Sequence, residues 1–185
     1  MLYTLRNQKK YLFNPEKKYV RLLKKIIGFE PRDYKLYQLA LIHKSASGRF
    51  TRKNINNERL EFLGDAILDS IVAEYLYQQF PEKDEGFLTQ MRSKIVNRDT
   101  LRNIAIKIGI GNLIIARLTH DNHIALYGDA LEAIIGAIYL DRGYKKAKKF
   151  IRSVIKLDKS FHVYVHGNRD NIERGYDETR KQNFY

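Results

Sequence analysis

Residues 57–76 read NERLEFLGDAILDSIVAEYL, and the fold depends on what that stretch is. Leu60, Phe62, Leu63, Ile67, Leu68, Ile71, Val72, Tyr75 and Leu76 recur at helical spacing but cover most of the wheel, more than a surface helix needs. The pattern predicts a helix from about Asn57 to Phe80, ended by Pro81 and placed centrally or at an interface. Glu58, Glu61 and Asp65 are set into it, and at 100° per residue they share an arc of about 60°. An acidic stripe is ordinarily a solvated face. Here Gly64 stands inside it, although glycine in a helix costs about 1 kcal/mol relative to alanine, which points to a close approach by another segment.

A second apolar helix supplies the partner. In LYGDALEAIIGAIYL, residues 126–140, the triplet Gly128-Asp129-Ala130 repeats Gly64-Asp65-Ala66, and Glu132 follows on the face of Asp129. If the two helices cross at Gly64 and Gly128, then Glu61, Asp65, Asp129 and Glu132 converge. Four adjacent carboxylates raise one another's pKa and resist ionising together. A divalent cation relieves the conflict, and all-oxygen ligation suits Mg²⁺, with Mn²⁺ as a substitute, better than zinc. In a basic protein such a site suggests hydrolysis of a phosphodiester, most simply as a two-metal displacement.

The rest of the chain supports a helical domain with a polyanionic partner. Its 185 residues are 44% hydrophobic, enough for one core plus appendages, and 34 Lys and Arg against 21 Asp and Glu leave a net charge of +13. Basic residues cluster at 17–25, 49–53 and 144–156. Cysteine is absent, which excludes disulfides, thiolate zinc sites and cysteine nucleophiles. No run of about 18 apolar residues occurs and the opening segment lacks a signal-peptide core, so a cytoplasmic protein without membrane contact is expected. Helix 144–157 is basic and amphipathic, but its apolar face of Ala147, Phe150, Ile151 and Val154 is needed to close a bundle.

Further helices are expected at 16–27, 33–43 (capped by Asp33), 84–97, 99–108 and 124–140, with a polar loop over 45–56. The alternating HVYVH at 162–166 is one short strand and makes no sheet. The organisation is therefore an N-terminal extension (1–15), an all-α domain (16–159) and a polar tail (160–185).

Three blocks in order, NERLEFLGDAIL, DEGFLTQMRSKIV and YGDALEAIIGAIYLDRGY, closely resemble the ribonuclease III family over roughly residues 16–158. The resemblance implies an all-α homodimeric endonuclease that cuts double-stranded RNA to 5′ phosphates with short 3′ overhangs, as in ribosomal RNA processing. It implies Glu61, Asp65, Asp129 and Glu132 as catalytic metal ligands. Glu58 matches the first acid of the signature, and Glu85 matches an acid brought to the cleft across the dimer; both are given supporting roles. Phe62 matches an aromatic that plugs a socket on the partner subunit, whereas the residues by themselves favour plain core. Family members commonly carry a separate double-stranded-RNA-binding domain, for which the tail 160–185 is too short, so weak and salt-sensitive RNA binding is expected.

Two histidine pairs, His120 with His123 and His162 with His166, invite a zinc reading but lack further ligands. The His120-Asp121 dyad resembles that of HD-type phosphohydrolases but lacks companion histidines. A rival from another class is a catalytically silent, RNA-binding component of a larger particle. Such a protein is expected to have lost metal-site acids, and all six acidic positions are present. Cleavage of DNA is disfavoured by the family resemblance alone.

Overall fold

The computed structural model describes residues 17–47, 55–117 and 125–155. Among them are eight α-helices: α1 (Lys17–Ile27), α2 (Tyr34–Ala40), α3 (Lys44–Ser47), α4 (Glu58–Gln79), α5 (Glu85–Ile95), α6 (Arg98–Ile108), α7 (Ala125–Arg142) and α8 (Tyr144–Ile155). A 3₁₀ turn, Ile110–Asn112, follows α6. No strand occurs among the described residues, where the sole ladder feature is one parallel bridge between Ile42 and Ile115. The expected 1–15 extension, the 160–185 tail with HVYVH, the basic 49–53 cluster and the histidines at 120, 123, 162 and 166 lie outside the described residues.

Side-chain caps set several helix starts. Asp33 accepts from Lys35 N–H, Asp84 from Phe87 N–H and Asn97 from Thr100 N–H, each satisfying a donor that the first helical turn leaves free. Helix α2 departs from the expected 33–43 by stopping at Ala40. Residues 41–43 leave the helix because their backbone has a better partner: Ile115 N–H donates to Leu41 C=O at 2.8 Å and His43 N–H donates to Ile115 C=O at 3.0 Å. The short α3 then occupies the beginning of the expected loop.

Helix α7 is the axis of the domain. It packs most extensively against α4 and also against α2, α6 and α8. Leu126, Ala130, Leu131, Ala133, Ile134, Ile135, Ala137 and Ile138 are all buried, so α7 has almost no solvent face. The predicted apolar face of α8, Ala147, Phe150, Ile151 and Val154, is buried in the same core.

The far end of α7 is tied to the loop before α2. The Asp141 carboxylate accepts from Arg32 N–H (3.2 and 3.1 Å), Asp33 N–H (3.0 Å) and the Tyr37 hydroxyl (2.9 Å). Tyr37 is fully buried, and this bond satisfies its one polar atom. Arg142 and Lys146 lie over the Phe29 ring at 5.3 and 5.1 Å from its centroid, closing the same corner by cation–π contact.

Candidate active site

The site begins with a backbone crossing. A Cβ on Gly64 would lie 1.7 Å from the Glu132 carbonyl oxygen, and one on Gly136 would lie 2.3 Å from the Leu60 carbonyl oxygen. Only glycine permits α4 and α7 to meet this closely. The sequence expectation of a crossing at Gly64 and Gly128 is thus corrected in its second member. Gly128 faces α6, where a Cβ would meet nothing nearer than Leu101 Cβ at 3.7 Å. Helical phase explains the exchange. Asp129, Glu132 and Gly136 fall at i, i+3 and i+7 on one stripe of α7, whereas Gly128 lies about 100° away from Asp129.

The crossing brings three acids together. Glu61, Asp129 and Glu132 each offer a carboxylate oxygen, and these oxygens all lie within 4.8 Å of one another. Asp65 does not join that triplet; it is more exposed, yet its charge is the largest of those acting on Glu132. Burial, then the charges of Asp65, Glu61 and Asp129, push Glu132 up to about 8. Glu61 is raised by burial and by Asp129, Asp129 by burial, and Asp65 by burial and by Asp69. Arg98 lowers the energy of the charged triplet and Lys44 that of Glu61 and Asp129, but neither offsets burial.

Such a set fits a hard divalent cation. The donors are all oxygen, they converge, and burial raises the pKa of each, Glu132 furthest, a cost that a bound positive charge would offset.

One neighbour was not singled out in the sequence. His43 is 5% exposed, and its Nε2 lies 3.9 Å from Asp129 Oδ2. Burial lowers its pKa, against the opposing pull of Asp129. The signal available was an apolar run, Leu39 to Ile42, leading directly into a histidine.

A family description, Ribonuclease-III-like, matches residues 33–158, more than half of the chain. The chain belongs to the ribonuclease III family. It is 50% identical over 144 residues to "Ribonuclease 3" of Azobacteroides pseudotrichonymphae, covering 77% of this chain and 55% of that protein. With "Ribonuclease 3" of Bacteroides fragilis it shares 49% over 155 residues, covering 80% and 53%. The chain therefore spans about half the length of the curated relatives it matches. Among solved structures, the ribonuclease III nuclease domain of Campylobacter jejuni, described with a region involved in dimer formation, superposes with a TM-score of 0.69 at 37% identity. That match covers 76% of this chain and 99% of the other.

Within this ribonuclease III fold the remaining predicted residues take distinct places. Glu58 stands at the start of α4, accepting from Asn56 Nδ2 at 3.0 Å and facing Lys44 Nζ at 3.4 Å, outside the triplet. Glu85 starts α5 and accepts the Thr89 hydroxyl at 2.9 Å; no contact within the described chain joins it to the other acids. Phe62 is 80% exposed, which excludes the plain-core reading within this chain. An aromatic this open beside the acids is an unpaired apolar surface.

Proposed function

We propose that this chain is a Mg²⁺-dependent endoribonuclease that hydrolyses phosphodiester bonds of double-stranded RNA, leaving 5′ phosphates and short 3′ overhangs. It acts as a homodimer in the cytoplasm, in maturation of ribosomal and other structured RNAs. The observation that carries this reading is the convergence of Glu61, Asp129 and Glu132 at the α4–α7 crossing of a chain with net charge +13.

Glu61, Asp129 and Glu132 hold the ion, with Asp65 alongside Glu132 as the fourth acid and Mn²⁺ as an effective substitute. Bound there, the ion supplies Lewis acidity at phosphorus, an activated water and stabilisation of the leaving 3′ oxygen. The chain itself provides an anionic centre and a surface rich in basic residues. Lys44 and Arg98 act electrostatically on the acids, and exposed bases on α1 (Lys17, Lys18, Arg21, Lys25) and α8 (Lys145, Lys149, Arg152) are available to duplex phosphates. Such a surface reads RNA by shape and backbone. Phe62 serves as the dimer contact. Glu58 and Glu85 support the site, Glu85 from across the dimer.

The test is cleavage of an end-labelled RNA duplex at low salt, in Mg²⁺ and in chelator, beside single-stranded RNA and duplex DNA. Discrete products from the RNA duplex in Mg²⁺ alone are expected. Duplex that is retained but uncut in Mg²⁺ would overturn the proposal in favour of a silent RNA-binding role.

A further inference from the structure

His43 is held with unusual thoroughness for a residue outside the acidic triplet. Its backbone N–H donates to Ile115 C=O at 3.0 Å and its carbonyl accepts Ala46 N–H at 2.9 Å. The carbonyl before it, that of Ile42, accepts the N–H of Asn57 at 2.8 Å, the residue that opens α4. The ring is fixed as well. Ser45 N–H donates to Nδ1 at 3.2 Å, Ser45 Oγ lies 2.9 Å from the same nitrogen, and that Oγ accepts Arg117 N–H at 3.0 Å. The start of α4 and the 115–117 segment thus hold the backbone of this loop, and Ser45, itself bound by Arg117, orients the ring beside the acidic centre.

The hydrogen bonds around the ring favour one tautomer. Nδ1 accepts the Ser45 N–H at 3.2 Å, which favours the neutral ring with its proton on Nε2, while the Ser45 hydroxyl is shared between Nδ1 and the Arg117 carbonyl, 3.2 Å away. Nε2 is the atom that faces Asp129 Oδ2, at 3.9 Å. That exceeds hydrogen-bond length, so a direct bond requires the Asp129 carboxylate to turn toward the ring.

We propose that His43 is a positioning residue for the metal centre: its Nε2–H fixes the orientation of the Asp129 carboxylate, so that the other oxygen is presented toward Glu61 and Glu132. The inference rests on the metal-site reading above. A neutral donor suits the task. It restrains the ligand without spending the ligand's negative charge, as a buried lysine or arginine would. Hydrogen-bonding partners of this kind characteristically change metal affinity by about 10- to 100-fold when removed.

Two substitutions separate positioning from simple packing. His43→Asn keeps an acceptor where Nδ1 meets Ser45 N–H and loses the donor toward Asp129. His43→Gln keeps an amide N–H near the place of Nε2. Mn²⁺ is titrated calorimetrically into wild type and both variants, with chemical unfolding followed in parallel. The expected result is H43N weaker by about 10- to 100-fold with an unfolding midpoint close to wild type, and H43Q recovering most of the affinity. H43N binding Mn²⁺ within about twofold of wild type, or H43Q as weak as H43N, overturns the proposal. Should H43N fail to fold, H43Q is judged alone, and a loss of about tenfold overturns it. Wild type that binds no Mn²⁺ removes the metal-site reading itself, an outcome distinct from either.

Discussion

Glu132→Gln is expected to abolish cleavage and yet stabilise the metal-free protein. Burial and three neighbouring carboxylates raise Glu132 from 4.5 to about 8, so the folded chain binds that proton more tightly than the unfolded chain. Its contribution to stability is whole below about pH 4.5, falls as pH rises, and is lost above about pH 8. At 1.36 kcal/mol per tenfold change in acidity, the rise caps the penalty at about 5 kcal/mol. Glu132 is only partly buried, so solvent screening reduces that to about 2 kcal/mol. Glutamine keeps the shape and removes the charge. For a chain of this size 2 kcal/mol is about 4–8 °C in melting temperature. The assay is thermal unfolding in chelator, where the variant should melt higher than wild type by about the stated margin near pH 8.5 and close to it near pH 4. Added Mg²⁺ should then raise wild type and leave the variant unmoved. A variant that melts at or below wild type near pH 8.5 would refute the like-charge account of the site.

Three further outcomes follow from the same packing. Gly64→Ala and Gly136→Ala each thrust a methyl into a carbonyl of the facing helix and should destabilise by about 3 kcal/mol or more in urea unfolding, whereas Gly128→Ala, whose methyl would meet only Leu101 Cβ at ordinary contact distance, should be neutral or stabilising by up to about 1 kcal/mol. Asp141→Ala strips the acceptor from Arg32 N–H, Asp33 N–H and buried Tyr37, and the same unfolding assay should register a loss of about 2–4 kcal/mol with metal affinity retained. Phe62→Ser should weaken self-association in analytical ultracentrifugation by at least about tenfold with little change in protomer stability, since an 80% exposed ring contributes little to its own core. An unchanged dimer would remove Phe62 from the interface.

What the sequence disclosed was local, and what it concealed depended on distant partners. The long helix, its glycine and the acidic spacing are statements about neighbours a turn apart, and Glu58–Gln79 appears with the expected limits. The crossing partner was misassigned because Gly128-Asp129-Ala130 copies Gly64-Asp65-Ala66 in letters, while the geometry required the glycine on the stripe of Asp129 and Glu132, which is Gly136. The end of α2 could not be read from 33–43, since the bond that draws Leu41 and His43 out of the helix comes from Ile115. His43 and Asp141 escaped for the same reason: each works through groups remote in the chain. Phe62 shows the converse, an apolar letter that composition assigns to the core and the fold leaves in solvent.

The paired glycines also decide how this protein can change over time. Because α4 and α7 touch main chain to main chain, the spacing of Glu61 from Glu132 is gauged by peptide groups rather than by the size of the core side chains. Leu, Ile and Val around the crossing are then free to exchange and repack, as apolar interiors readily do, while the carboxylates keep their separation. Variation in the oily interior is uncoupled from the dimension on which chemistry depends, and the burden of constancy falls on two residues with no side chain at all.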